Sequence, residues 1–172
     1  MSAELPIPSK LPSSQVLENL ARRYSELEPS AVASALTLLR VAADLHAALV
    51  LHFARYNLSH GRFVVLIALY TAPDSEMCCS DIADSIGVSR ATMTGLLDGL
   101  ERDGLIKRVD HPEDRRRITV SLTAGGRRLL ERILPDHFRR IAGMMSNLSE
   151  SDRRRMMDLL GRVRQGLGAL SR

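Results

Sequence analysis

Apolar residues recur along much of this chain in steps of three and four. Between about 31 and 56 they fall at Leu38, Val41, Leu45, Leu49, Phe53 and Tyr56, one stripe of a long amphipathic helix. The segment "NLSHG" ends it. "RFVVLIALYT" (62–71) predicts a second helix, apolar on most sides and therefore buried. Pro73 and Asp74 then turn the chain. Residues 80–86 read as a short helix, Gly87 as a turn, and Ser89 as the start of a further helix that Gly104 closes. The period changes to two in "LIKRV" (105–109) and "RITVSL" (117–122), which predicts a β-hairpin with an extended polar tip.

Helical spacing returns after the hairpin. Thr123 can cap a helix running to about 148, with Leu130, Leu134, His137, Ile141, Met144 and Leu148 on its inner face. Ser149, with Asp152 three residues later, starts the last helix in capping-box fashion. That helix carries Met156, Leu160, Val163, Leu167 and Leu170, again at steps of four and three. Each of these two stripes is a seam for a partner helix. Gly161, Gly166 and Gly168 weaken the last helix and fray its end. Near the other end, 14–27 predicts a short helix broken at Glu28-Pro29, with Ser30 a cap for the next. Residues 1–14 hold three of the seven prolines and read as a loosely attached arm.

Composition sharpens this picture in three places. The low aromatic share, 3% with no Trp, in a Leu-, Ala- and Arg-rich chain of 172 residues points to a mostly helical fold. The net charge of +4 is modest, but its placement is not. From Leu105 to Arg128 the chain carries Lys107, Arg108, Arg115, Arg116, Arg117, Arg127 and Arg128 against Asp110, Glu113 and Asp114. The cationic excess of the whole chain therefore sits in one short segment, which suggests an anionic partner. No uninterrupted run of apolar residues is long enough to span a membrane, and the first residues lack the apolar core of a signal peptide. Cys78 and Cys79 are adjacent, a poor geometry for a structural disulfide, so a reduced, cytoplasmic setting is expected.

The most constrained pattern is "SDIADSIGVSRATMTGLLDGL" (80–100). Two short helices that cross over a tight turn need a small residue at the crossing, here Ala83. They also need a residue that tolerates positive φ at the turn, here Gly87. Ile82, Ile86, Val88, Met93 and Leu96 fall where apolar residues lock such a pair together. This is a helix-turn-helix. Its second helix is expected in the major groove of double-stranded DNA, with Ser89, Arg90, Ala91, Thr92 and Thr94 toward base edges. Arg90 suits a guanine, Ala and Thr a thymine methyl, and Ser89 both caps the helix and exposes its first N–H groups to phosphate.

The hairpin directly after it makes a wing. Ile106, Ile118, Val120 and Leu122 are expected to face the helices, and Arg117, Thr119 and Ser121 to face solvent. The tip "DHPEDRR" projects toward the adjacent minor groove, where arginine is favoured. Asp114 stands two residues from Arg116 and can hold it within the turn. Arg116 is therefore read as a brace and Arg115 as the residue that reaches DNA. Arg117 is a phosphate contact or a solvated strand residue, and a merely solvated charged turn is the competing reading of the whole tip.

Together "SDIADSIGVSRATMTGLLDGLERDGLIKRV" and "PEDRRRITVSLTAGG" resemble the MarR (multiple antibiotic resistance regulator) family of bacterial transcription factors, over about 31–170. The resemblance implies a winged helix-turn-helix at 58–122 and dimerisation helices at 31–57 and 123–172, with 1–30 an added arm. It implies a homodimer on a pseudo-palindromic operator, acting as a repressor relieved by a small phenolic or other anionic effector, or by an oxidant. Two features depart from the family's pattern. Gly95 and Gly99 stand where many relatives carry arginine, which shifts weight to Arg90, Arg102 and the wing. The segment 1–29 lies outside the usual core.

Other chemistries find less support. Cys78 and Cys79 have Glu76 and Asp81 beside them and no local cation, so packing is favoured over thiol sensing. His46 and His52 are six residues apart and do not share a helix face, and no ligand cluster surrounds them or His60, so no metal is expected. The pairs Met144–Met145 and Met156–Met157 read as core or interface. No catalytic triad, phosphate loop or dinucleotide fingerprint occurs, so neither an enzyme nor a bound cofactor is expected. The main alternative is an architectural protein that binds DNA without sequence preference. No ligand-binding residue can be named at this level.

Overall fold

The computed structural model of the chain describes residues 10–110 and 118–170. They form seven α-helices and three short strands: α1 (Ser14–Ala21), α2 (Pro29–Ala54), α3 (His60–Thr71), β1 (Glu76–Cys78), α4 (Cys79–Ile86), α5 (Arg90–Arg102), β2 (Ile106–Asp110), β3 (Ile118–Leu122), α6 (Ala124–Met144) and α7 (Glu150–Gly166). The chain divides into two compact units, residues 1–65 and 66–172. The fold is mostly helical with a small antiparallel sheet, as the periodicities predict.

In the first unit α1 packs on α2. The helix at 14–27 is shorter than its apolar pattern suggests. Ser30 does not cap α2; Glu28 occupies the cap position without a side-chain bond, and Pro29 takes the first turn, where a missing N–H costs nothing. The end of α2 is pinned by rings. Phe53 is fully buried and stacks on Phe63 at 4.1 Å, with His60 lying parallel to it at 5.7 Å. Arg55 reaches back along the helix and hydrogen-bonds His52 Nδ1. Among the described residues, much of the apolar surface of α2 is uncovered. Leu38, Leu39, Val41, Val50 and Leu51 are exposed, Leu51 by 72%. By length and composition α2 could cross a membrane, with a mean hydropathy of 1.5 over its most apolar window, despite its interrupting charges.

The second unit has its core where α4, α5, α6 and the sheet meet, at Leu66, Leu69, Ile82, Leu97, Leu100, Val120, Leu130 and Ile133. The hairpin prediction missed one strand. β1 adds to the free edge of β3, giving the order β1-β3-β2, with Met77 opposite Val120 and Arg108 opposite Val120 on the other side. β3 is thus a central strand; Ile106 and Val120 are buried as expected, but burial departs from expectation at two positions. Ser121 is 4% exposed, between Glu76 and Lys107, while Ile118 is 42% exposed at the far end.

The turn before β1 places Asp74 and Ser75 both at positive φ, +54° and +57°. Arg127 holds it from α6, donating from Nη2 to Ser75 Oγ at 2.8 Å with its guanidinium over the Tyr70 ring. At the start of α6, Thr123 Oγ accepts from the N–H of Gly126 at 3.0 Å and donates to the carbonyl of Gly104 at 2.8 Å. α6 stops at Met144 rather than about 148, because Arg153 donates to the carbonyls of Met145 and Leu148 and secures the turn into α7. The capping box of Ser149 and Asp152 is present. No residue of α7 is buried.

Candidate nucleic-acid interface

The helix-turn-helix is α4, a three-residue turn and α5. Gly87 ends α4 at φ +73°, and the N–H groups of Gly87 and Val88 both donate to the carbonyl of Ala83. A β-carbon at Gly87 would meet no neighbour, so the requirement is conformational rather than steric. Ala83 is 3% exposed and Ile82 fully buried, which lets α4 seat on α5. Met93, Leu97 and Leu100 form the inner face of α5.

The outer face of α5 is chemically spare. Ser89, Arg90, Ala91, Thr92 and Thr94 are all exposed. Ser89 caps the helix by accepting from the N–H of Thr92 at 3.2 Å, and its hydroxyl also bonds the Thr92 hydroxyl. Thr94 Oγ donates to the carbonyl of Arg90 at 3.0 Å, which leaves its methyl as the group free for contact. Gly95 is exposed with open space around it. This surface offers one guanidinium, small methyls and a close approach to backbone.

Sequence reasoning missed Arg108. It follows buried Ile106 by two on β2 and so lies on the inward side of the strand, where alternation expects an apolar residue. Its Nη1 lies 2.7 Å from Asp98 Oδ1 and 3.2 Å from Glu101 Oε2, and its Nη2 donates to the carbonyl of Thr94. Its backbone N–H donates to Glu101 Oε1 at 3.1 Å. The available signal was a carboxylate pair at 98 and 101, one helical turn apart, before a strand cation in the hairpin.

A cleft of about 470 Å³ opens between α4, α5 and the sheet. Cys79, Arg90, Met93, Thr94, Arg108 and Ile118 are among the residues that line it, a mix of cationic, hydroxyl and apolar side chains. Burial pushes the Cys79 thiol above its usual value, with Arg108 opposing. In a Cys78→Ser protein, Cys79 is therefore expected to alkylate with iodoacetamide at neutral pH more slowly than a free cysteine derivative; equal or faster labelling would mark an activated thiol. Among the described residues, no three His, Cys, Asp or Glu side chains converge as a metal site. The tip residues Asp114, Arg115, Arg116 and Arg117 lie outside the described residues.

Residues 58–118 match the model of the MarR family. The chain is 34% identical over 151 residues to the HTH-type transcriptional repressor YetL of Bacillus subtilis (strain 168), covering 88% of this chain and 90% of that protein. It is 32% identical over 144 residues to the HTH-type transcriptional regulator PecS of Dickeya dadantii (strain 3937), covering 83% and 85%. Its fold is like that of S. aureus MepR in a MepR–DNA complex, at a TM-score of 0.70 and 23% identity over 76% of this chain and 95% of that one. With its helix-turn-helix and strands β1 and β2 inside the matched region, and its similarity to YetL extending over 88% of the chain, the protein belongs to the MarR family.

Proposed function

We propose that the protein is a cytoplasmic transcriptional regulator, acting as a repressor and not an enzyme, that binds a pseudo-palindromic operator as a homodimer. The observation that carries this reading is α5, a helix capped by Ser89 whose outer face, Arg90, Ala91, Thr92 and Thr94, is exposed while its inner face is held on the core. It is supported by the family, by YetL being a repressor, and by a like fold having been solved with DNA. Residues 58–122 form the DNA-binding region; 31–57 and 123–172 supply dimerisation. The exposed apolar residues of α2, α6 and α7 suit a second copy better than a lipid phase, since α2 carries the Arg40–Asp44 pair midway.

Within this reading Ser89, Arg90, Ala91, Thr92 and Thr94 meet the major groove. Arg115 enters the minor groove, braced through Arg116 and Asp114, and Arg117 meets phosphate. Ala83 and Gly87 hold the helix pair. Arg90→Ala and Arg115→Ala are each expected to weaken binding by about 1–3 kcal/mol. The measurement is a titration of a duplex selected by the parent protein from a randomised pool, beside its scrambled counterpart. Equal affinity and equal salt slope on both duplexes for the parent protein would instead establish an architectural DNA-binding protein.

The cleft beside α5 is the proposed effector site. A small phenolic or carboxylate compound there would meet Arg90 and occupy space next to the reading surface. Such a compound weakens DNA binding, and DNA weakens its binding by the same factor.

A further inference from the structure

We propose that Arg108 is a positioning residue for sequence recognition, a clasp that fixes how far α5 is rolled about its own axis. This rests on α5 being the helix that enters the groove. The apolar face of α5 anchors the helix but is non-directional, and apolar packing alone tolerates small rotations. The polar seam is directional. Thr94, Asp98 and Glu101 follow one another at steps of four and three and so line one edge of α5, and Arg108 bonds all three. Glu101 also accepts the backbone N–H of Arg108, so the same carboxylate grips both the side chain and the strand. Opposite Arg108 on β3 is Val120, fully buried. The reading helix is thereby tied to the most fixed point of the sheet.

Two consequences follow from this arrangement. With side-chain tips about 5–6 Å from the helix axis, a roll of about 10° displaces them by about 1 Å, which spoils a base contact but not a phosphate contact. The clasp also gathers the carboxylates of Asp98 and Glu101 toward the sheet. The Arg108 side chain is 23% exposed against 57% and 41% for its two partners, so the cation is the sheltered member and cannot swing outward without abandoning both.

The test measures the Kd of the selected duplex and of its scrambled counterpart for Arg108→Met, Arg108→Lys, Glu101→Gln and the Arg108→Met/Glu101→Gln double variant, with thermal melting alongside. The clasp predicts that Arg108→Met lowers the preference for the selected duplex by about tenfold, and Glu101→Gln, which keeps the Asp98 bond, by a smaller but measurable factor of about threefold. The double variant is no worse than the worse single one. Arg108→Lys, which can hold one carboxylate at a time, recovers part of the preference. Simple charge effects predict the opposite for Glu101→Gln, since removing a negative charge strengthens binding to both duplexes alike. Retained preference in Glu101→Gln overturns the proposal, and this variant remains informative where Arg108→Met fails to fold. An equal loss on both duplexes in Arg108→Met, with a salt slope reduced by about one, makes Arg108 a phosphate contact and also overturns it. Arg90→Ala is run beside them. A normal loss there with Glu101→Gln unchanged defeats the clasp alone, whereas no response to Arg90→Ala removes α5 from the groove and the clasp's role with it.

Discussion

A Gly126→Ala protein is expected to be about 2–4 kcal/mol less stable than the parent. Gly126 lies in the first turn of α6, where the helix crosses the loop that leaves α5. A β-carbon there would stand 2.2 Å from the carbonyl oxygen of Leu105 and 2.8 Å from a Leu122 methyl. The first of these is backbone and cannot rotate away. That carbonyl also accepts the N–H of Thr123 at 3.1 Å, so moving it loosens the junction between β3 and α6. The melting temperature should fall by roughly 5–15 °C for a chain of this size, measured at fixed protein concentration. Gly125→Ala is the control, because its β-carbon would approach no atom closer than 3.4 Å. If both variants melt alike, the close approach is not what demands glycine.

Leu160→Glu is expected to convert the dimer to a protomer of 19.0 kDa, read by light scattering, and to weaken DNA binding by more than about 100-fold. In α7 Met157, Leu160 and Val163 are exposed by 61, 41 and 48%, Leu167 just beyond it by 53%, and nothing in the helix is buried. A helix of this length gains little stability alone and needs a surface to cover its apolar side. In the proposed homodimer a second copy supplies it, and a carboxylate in that contact must be desolvated without a partner. A protomer engages one half-site, so the second recognition event no longer comes at high effective concentration. Unchanged mass with full DNA affinity would place dimerisation elsewhere.

How much of this was legible in the sequence depended on whether the constraints were local. The helix-turn-helix was, because Ala83, Gly87 and the capping Ser89 answer to neighbours within a few positions. The helices α6 and α7 themselves were, because their apolar spacing and the caps Thr123 and Ser149 are local signals. The burial of Ser121 was not, since it depends on pairing with β1, which lies more than forty residues earlier and is too short to announce itself. Arg108 was counted as one cation among seven; only the crossing of β2 on α5 brings it to Asp98 and Glu101. The start of α2 was misplaced because both Ser30 and Pro29 are reasonable starters, and proline at the first position prevailed.

The uncovered state of α7 also bears on dosage. When a segment's folding is completed only by another copy, the population of complete molecules rises with the square of the protomer pool at low abundance and linearly once pairing saturates. Halving synthesis in the first regime cuts the paired form fourfold; in the second it cuts it only twofold. Expression level relative to the dissociation constant of the pair therefore sets how steeply occupancy of a DNA site responds to the amount of protein, before any small molecule enters.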